Sequence, residues 1–403
     1  MTITSTHPAA APPIRTRPFA PWPVFADDEI EPVLRALRTG KVNYWTGDQG
    51  REFEREFAAY CGCAHGIAVA NGTVALELAL RGYGVGPGDE VVVPSRTFIA
   101  TASAAVVCGA TPVVADLDPD SQTLTAEAIA RVLTPRTRAI IPVHLAGWPC
   151  DMPAIMALAR RHDLKVIEDC AQAHGARLDG RPVGSLGHAA AFSFCQDKIL
   201  TTAGEGGMLV TDDDALWRRA WSFKDHGKSY DAAHARAQST GFRWLHESFG
   251  SNLRLSELHA AVGRVALRKL DGWVEKRRRL AQALIDGLGR LPALRVAVPP
   301  PNVYCAYYKF YAHVRPERLR RGWDRDRVMQ AIAAEGVPCF SGTCSEIYLE
   351  QAFPPHMRPA ERLPVARALG ETSLMFLVHP TLELEDMADV CRAVERVLAV
   401  AAE

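Results

Sequence analysis

The chain has no excess of charge and no long apolar run. Its 403 residues include 46 basic and 46 acidic side chains, so the formal net charge is zero. Proteins that bind a phosphate backbone or an anionic membrane surface usually carry a basic excess, and we therefore expect neither nucleic acid nor membrane as a partner. The most apolar stretch, residues 99–115, is interrupted by Thr, Ser, Gly and Pro and falls short of a membrane span.

The N-terminal sequence also lacks the continuous apolar segment of a secretory signal. Residues 1–25 are rich in Ala, Pro and Thr, and this composition predicts a disordered or extended arm. In a long chain without a signal, the ten cysteines are expected to be free thiols in a reducing compartment. We therefore expect a soluble, cytoplasmic protein.

Motifs for metal or nucleotide binding are scarce. Cys61, Cys63 and His65 in CGCAH resemble a ligand group, but zinc sites usually leave two or more residues between paired cysteines and need four ligands. No second pair completes such a set, so we expect no metal. The P-loop sequence GxxxxGK[ST] is absent, and the glycine-rich segment 82–88 follows a helical pattern instead of a strand.

What the chain does contain is an alternation of short β-rich runs with helical patterns between residues 65 and 210. These runs are almost continuously apolar, as burial on both faces of a parallel sheet requires. Strands are predicted at 66–70, 90–95, 112–117, 138–145, 164–169, 189–194 and 206–211. The sequence therefore predicts an α/β fold with a mostly parallel sheet sandwiched by helices.

The pattern changes after about residue 215. A long helical stretch covers 256–291, and a Pro-rich break follows it. A strand at 308–314 and an amphipathic helix at 385–400 then indicate a smaller α+β unit. We divide the chain into an arm at 1–25, a large domain at 26–265 and a small C-terminal domain at 266–403.

Residues suited to ligand binding follow several strands of the large sheet, where parallel α/β proteins bind their ligands. The segment NGT at 71–73 opens a helix and suits a phosphate. Phe98 places an aromatic ring at the mouth of the sheet, and Glu168 and Asp169 end a buried strand, where carboxylates need partners. Each feature alone could be a helix cap or a core residue.

Together these features fit pyridoxal 5′-phosphate (PLP). This cofactor needs a lysine to hold its aldehyde, a carboxylate at its ring nitrogen, a phosphate cup and a flat stacking surface. Of the eight lysines, Lys198 in SFCQDKILTTAGEGG alone follows a strand of the large sheet and precedes glycines that permit a close backbone turn. A surface ion pair is the alternative role for a loop lysine. The other lysines are at 41, 165, 224, 228, 269, 276 and 309.

At this point the chain resembles a known family, the DegT/DnrJ/StrS aminotransferases, which are PLP enzymes of fold type I that aminate keto-sugars. The resemblance runs from about Val42 to beyond Asn252 and continues more weakly to the end. Six motifs carry it by their order and spacing: ANGTVALELAL, VVVPSRTFIATA, VHLAGWPCDM, VIEDCAQAHGA, SFCQDKILTTAGEGG and GSNLRLSELHAAVG.

The resemblance implies a role for each matching residue. Lys198 matches the lysine that holds the PLP aldehyde and later moves a proton, and Asp169 matches the partner of the ring nitrogen. Gln172 matches the position near the ring hydroxyl, and Phe98 the stacking position. The remaining matches concern the phosphate: Gly72, Thr73 and Ser193 match its cup, and Asn252 matches a motif that, in this family, reaches it from the neighbouring subunit. The resemblance thus implies a homodimer with active sites at the interface.

The same resemblance implies the reaction. L-glutamate or L-glutamine donates an amino group to a keto-sugar, for a surface polysaccharide such as lipopolysaccharide or for a secondary metabolite. The sequence TTAGEGG is closer to members that act at C4 of nucleotide-linked 4-keto-6-deoxy sugars than to those acting at C3. However, residues 222–231 and 339–353 depart from the family pattern, and such segments lie near the substrate. A keto-inositol, or another keto-sugar without a nucleotide, therefore stays open.

Two competing hypotheses belong to other classes. One is a PLP-binding regulatory protein without turnover, and Lys198, Asp169 and Gln172 together argue against it because a sensor needs no electron sink in the ring. The other is a dehydratase of the same fold, and relatives with that activity replace the lysine by histidine. We therefore expect a transaminase.

Overall fold

The computed structural model describes residues 12–235 and 244–403. Up to residue 234, helices alternate with short strands. In chain order these elements are α1 (Asp27–Thr39), α2 (Gln49–Cys61), β1 (His65–Val69), α3 (Gly72–Gly82), β2 (Glu90–Pro94), α4 (Ala100–Val107), β3 (Thr111–Ala115), α5 (Ala126–Ala130), β4 (Thr137–Ile140), α6 (Met152–Arg161), β5 (Lys165–Asp169), β6 (Arg177–Leu178), β7 (Arg181–Pro182), β8 (Ala189–Ser193), β9 (Gly207–Thr211), α7 (Asp214–Lys224) and α8 (Tyr230–His234).

The C-terminal part contains fewer strands and one very long helix. Its elements are α9 (Glu257–Leu288), β10 (Leu294–Arg295), β11 (Val303–Tyr304), β12 (Phe310–Val314), α10 (Arg325–Ala334), α11 (Pro364–Thr372), β13 (Ser373–Phe376) and α12 (Leu384–Ala401). Among the described helices, none combines the length and the apolar character that a membrane crossing requires.

The central sheet has seven strands in the order β1-β9-β8-β5-β4-β2-β3. β9 runs antiparallel to both of its neighbours, and the remaining pairings are parallel. Every residue of β2, β8 and β9 is buried, which explains why these segments are almost continuously apolar. The predicted α/β class is confirmed, and each strand predicted for the sheet is present.

Side-chain caps fix where several helices begin beside this sheet. In each of them, a side-chain oxygen accepts a hydrogen bond from the backbone N–H three residues later, which satisfies one of the unpaired donors of the first turn. The capping residues are Asn71, Thr125, Asp151, Asp213 and Ser256. The cap at Asn71 matters most for function because α3 starts directly after β1, at the edge where ligands bind.

Helix α9 connects the two parts of the molecule. It packs against α1 and α2 in the large part and against α12 in the C-terminal part. The division that we place at residue 265 therefore falls inside a continuous helix, and the domain boundary stays a prediction. Residues 12–25 of the arm form neither helix nor strand, while residues 1–11 lie outside the described residues.

The C-terminal part is built on an antiparallel sheet in the order β10-β12-β13. The buried faces of α9, α10 and α12 cover it and form a second apolar core, which includes Leu284, Ile332 and Val394. The predicted strand at 308–314 and the predicted helix at 385–400 correspond to β12 and α12. A small third sheet, β11-β6-β7, joins the two parts.

Candidate active site

A cavity of about 1050 Å³ opens where the carboxyl ends of the parallel strands face the C-terminal part. Its wall on the large part follows β1, β2, β5 and β8, as expected for an α/β sheet. The structure brings most of the predicted site residues together in this wall: Gly72, Thr73, Phe98, Asp169, Gln172, Ser193 and Lys198. The spacing of the motifs along the sequence therefore produces one site.

Lys198 lies in the loop between β8 and β9, with its side chain 18% exposed. Its Nζ donates a hydrogen bond to Tyr308 Oη at 3.3 Å and lies 3.5 Å from Asp197 Oδ1. The Tyr308 hydroxyl donates in turn to Asp197 Oδ2. The amine is largely shielded from water and positioned from two sides in the cavity wall, where it can reach the aldehyde of a bound cofactor.

The backbone of this loop is supported by the N-terminal arm. Trp22 Nε1 donates a hydrogen bond of 2.9 Å to the carbonyl oxygen of Lys198. The Trp22 ring packs edge-on against Trp273 of α9, with 5.2 Å between the ring centroids. The arm thus contributes directly to the position of the lysine.

Asp169 ends β5 and is buried. Its two carboxylate oxygens accept hydrogen bonds from Thr101 Oγ1 at 2.9 Å and from the backbone N–H of Ala171 at 3.1 Å. Burial raises the pKa of Asp169, against the opposing effects of these hydrogen bonds and of nearby Lys198. A cationic ring nitrogen beside Asp169 would compensate this buried carboxylate, so the site fits a PLP ring.

The neighbouring carboxylate of Glu168 has a different set of partners. It accepts backbone hydrogen bonds from Gly184 at 3.0 Å, Leu186 at 2.8 Å and Gly187 at 2.7 Å, and its Oε2 lies 2.8 Å from His144 Nε2. These contacts explain how two adjacent carboxylates can end a buried strand. Glu168 therefore has a structural role, and Asp169 is the carboxylate in the cavity wall.

Gln172 and Phe98 line the cavity in different ways. Gln172 is buried, and its Oε1 accepts a hydrogen bond of 2.9 Å from the backbone N–H of Ala146. That contact orients the amide, so its nitrogen remains available to a ligand. Phe98 is 70% exposed although it is a large aromatic residue. An exposed ring in a cavity wall provides the flat surface that a PLP ring needs, and its stacking role stays a prediction.

The first turn of α3 forms the far end of the cavity. Asn71 Oδ1 accepts from Val74 N at 3.0 Å, while Gly72 and Thr73 present the first helical N–H groups. A Cβ atom on Gly72 would lie 2.7 Å from Ser193 Cβ, so only glycine lets this turn approach β8. These donors and the helix dipole suit a phosphate group.

Gly207 packs against the same turn, and its replacement gives a direct test. A Cβ atom there would lie 2.5 Å from the backbone C and O of Asn71 and 2.8 Å from Gly72 N. We expect Gly207→Ala to destabilise the fold by about 1–3 kcal/mol and to weaken PLP binding, because backbone must shift. Denaturant unfolding measures the first effect and PLP titration the second.

Gly272→Ala in α9 is the matched control, since nothing lies within 4 Å of its Cβ position. It should leave PLP binding unchanged and stabilise the helix by up to about 1 kcal/mol. If Gly207→Ala has the same stability and PLP affinity as the native protein, the turn tolerates a shift of its backbone and the expectation is wrong.

Two sequence features are not part of this cavity. Asn252 is exposed and does not line it; the residue forms a backbone bridge with Asp225. Residues 222–231 contribute to a separate cavity of about 600 Å³. By contrast, the other unusual segment reaches the site, since residues 342–344 and 347 line the cavity.

Sequence reasoning missed the residues that the C-terminal part contributes. Tyr308, Lys309 and Tyr311 all line the cavity, and Tyr308 contacts Lys198 directly. Lys309 and Tyr311 are two residues apart and therefore share one face of the extended chain. This alternation is a usable signal for Lys309 and Tyr311 but not for Tyr308, and nothing in the sequence shows that the face turns towards Lys198.

Comparisons with known proteins agree with this geometry. Residues 23–395 match the DegT/DnrJ/EryC1/StrS aminotransferase family. The chain belongs to this family. It is a PLP-dependent sugar aminotransferase, and its fold is that of the fold-type-I PLP enzymes. The expectation of a transaminase is thereby confirmed.

Individual relatives cover almost the whole chain. The solved structure of an aminotransferase from Psychrobacter cryohalolentis is 51% identical, with a TM-score of 0.93, and the match covers 95% of this chain and 99% of that chain. The dTDP-3-amino-3,4,6-trideoxy-alpha-D-glucose transaminase of Streptomyces venezuelae is 38% identical over 90% of each chain. The L-glutamine:2-deoxy-scyllo-inosose aminotransferase of Streptoalloteichus tenebrarius is 37% identical over 96% of each.

Proposed function

We propose that this enzyme transfers an amino group from L-glutamate or L-glutamine to a nucleotide-linked keto-sugar, with a 4-keto-6-deoxy sugar as the first candidate. The size of the cavity beside Lys198 carries the proposal. At about 1050 Å³ it is at the upper end of typical small-molecule sites, so it offers room for a bulky acceptor beside PLP.

Each site residue has a defined task in this proposal. PLP, when bound, supplies the electron sink that makes the proton beside the reacting nitrogen acidic. Lys198 would hold the cofactor, and its Nζ, once free, would carry that proton as base and then as acid. Asp169 would keep the ring nitrogen protonated, Gln172 would contact the ring hydroxyl and Phe98 would stack on the ring. Gly72, Thr73 and Ser193 bind the phosphate.

The substrate can be identified by a screen in which the donor is fixed and the acceptor varies. The purified enzyme receives L-glutamate or L-glutamine together with nucleotide-linked 4-keto sugars, nucleotide-linked 3-keto sugars or a keto-inositol. We expect amination of a nucleotide-linked 4-keto-6-deoxy sugar. If the enzyme aminates none of the nucleotide-linked sugars, the proposal is contradicted.

Two of the relatives show why each acceptor belongs in the screen. The name of the Streptomyces venezuelae relative places the new amino group at C3. The name of the Streptoalloteichus tenebrarius relative specifies an inosose, and this relative matches almost the whole chain. A keto-inositol is therefore the second candidate acceptor.

We further propose a homodimer in which Asn252 reaches the phosphate site of the partner subunit. Asn252 is exposed and nearby Phe249 is fully exposed, as expected for residues that another subunit covers. We expect Asn252→Ala to retain PLP about tenfold less tightly, because one hydrogen bond to a charged group is lost. Equilibrium dialysis measures PLP affinity, and light scattering measures the mass.

Asn302→Ala serves as the control, since Asn302 is an exposed residue whose amide contacts Asp179 instead of the cavity. The shared site would be refuted if the native protein were a monomer in solution and Asn252→Ala bound PLP as tightly as the native protein.

The proposed setting is the cytoplasm, in the synthesis of a surface polysaccharide or a secondary metabolite. All ten cysteines are free thiols, which is compatible with a reducing compartment.

A further inference from the structure

The cavity contains a second lysine that forms no ion pair with any acidic side chain in the described part of the chain. Among the described residues that line it, Lys198 and Lys309 are the only cations. Lys198 Nζ is engaged by Tyr308 and Asp197. Lys309 Nζ makes no hydrogen bond or ion pair with a described residue and lies 4.7 Å from the centroid of the Tyr308 ring. The nitrogen of Lys198 lies 4.9 Å from the same centroid.

The surroundings of Lys309 are electropositive. Burial lowers the pKa of Lys309 to about 8; Asp197 opposes this effect, while Arg277 and Lys198 add to it. Arg277 of α9 is buried, and among the described residues it finds one hydrogen-bond partner, the Tyr308 carbonyl, which accepts from Nη1 at 3.2 Å. His379 is nearby, and burial, Arg277 and Lys309 together lower its pKa to about 3, so it is neutral. Among the described carboxylates, Asp197 is the one that faces Lys198, Lys309 and Arg277 together.

We propose that Lys309 binds the α-carboxylate of the amino-acid donor. The amino group of the donor reacts where Lys198 Nζ holds the cofactor, and one carbon atom separates that nitrogen from the carboxylate. The carboxylate must therefore lie near Lys198. Lys309 contacts the same tyrosine ring as Lys198 and carries an unpaired charge in the cavity.

This assignment separates the two anionic groups of the site. The phosphate cup at Gly72, Thr73 and Ser193 belongs to the large part, whereas Lys309 stands just before β12 on the opposite wall. A point charge on a flexible stem suits a carboxylate that enters and leaves in each cycle. The inference rests on the proposed function because it assumes that an amino acid is the donor.

The test uses glutarate, which has the carboxylates of glutamate and no amine, with the PLP-loaded enzyme in a calorimeter. We expect Lys309→Met to weaken glutarate binding about 10- to 100-fold, the range for a lost hydrogen bond between charged groups. Lys309→Arg should recover part of it. Glutaramide, the uncharged isostere, should bind the native protein and Lys309→Met equally.

The pH dependence gives an independent readout. Lys309 is a cation below its pKa of about 8 and becomes neutral as the pH rises through that value. Glutarate binding by the native protein should therefore be strongest below pH 8 and fall above it, whereas Lys309→Met should show no such fall. Lys41→Met, at an exposed lysine outside the cavity, is the control and should behave like the native protein.

Kinetics of the two half-reactions show whether Lys309 binds the carboxylate of the donor or the phosphates of a nucleotide sugar. Lys309→Met should raise the donor concentration needed for half-maximal rate and leave that of the keto-sugar unchanged. Equal glutarate affinity of the native protein and Lys309→Met, or an effect confined to the keto-sugar, would overturn the assignment. If glutarate binding depends on Lys309 but the enzyme aminates no keto-sugar, the carboxylate site at Lys309 is supported and the proposed acceptor is wrong.

Discussion

Replacing Lys198 by alanine is expected to reduce amination by at least about 10³-fold, because the same nitrogen holds the cofactor and transfers the proton. The side chain ends in the cavity, where it makes polar contacts with Tyr308 and Asp197. The variant should therefore fold normally. Steady-state turnover with L-glutamate and a keto-sugar measures the loss, and thermal unfolding checks the fold.

Lys41→Ala is the matched control for this experiment, since it removes an exposed lysine elsewhere in the chain. It should retain full activity. An external amine such as ethylamine should restore part of the proton transfer in Lys198→Ala without changing its stability. Substantial amination by Lys198→Ala without added amine would remove the lysine from the centre of the mechanism.

Asp169→Asn is expected to bind PLP but to transaminate on the order of 10²- to 10³-fold more slowly. Asparagine has nearly the same shape, and it can still accept a hydrogen bond from Thr101 or from the Ala171 N–H. It has no negative charge, however, and cannot keep the ring nitrogen protonated. The expected loss is that of one preorganised electrostatic contact to a charge that develops during reaction.

The measurement compares PLP affinity and single-turnover rate in Asp169→Asn and in Asp120→Asn, an exposed aspartate outside the cavity. The control should match the native protein in both. A near-normal rate in Asp169→Asn would mean that another group protonates the ring. Loss of PLP binding as well would mean that Asp169 mainly holds the cofactor in place.

The sequence predicts the large sheet well because its strands are buried on both faces. β8, for example, is almost entirely apolar, and the predicted limits of β5 and β8 differ from the observed ones by a single residue. β4 ends at Ile140, before the predicted limit, and Pro142 just beyond it has no N–H to donate to a ladder. The residues that follow these strands then define most of the site.

The rest of the site depends on how the two parts of the chain pack together. Tyr308 meets Lys198 although 110 positions separate them. No local pattern encodes such a contact, because it depends on how α9 and β12 place the C-terminal sheet against the cavity. The support of Lys198 by Trp22 has the same origin, since the arm has no periodicity that predicts where it docks.

The absorbance spectrum of the purified protein with PLP, before and after addition of L-glutamate, tests the central claim most directly. We predict a yellow band from PLP held by Lys198, and we predict that this band bleaches when the donor is added. A yellow band that persists with both L-glutamate and L-glutamine would contradict the proposed donor. The absence of any such band would show that Lys198 does not hold the cofactor, and the account of this site would be wrong.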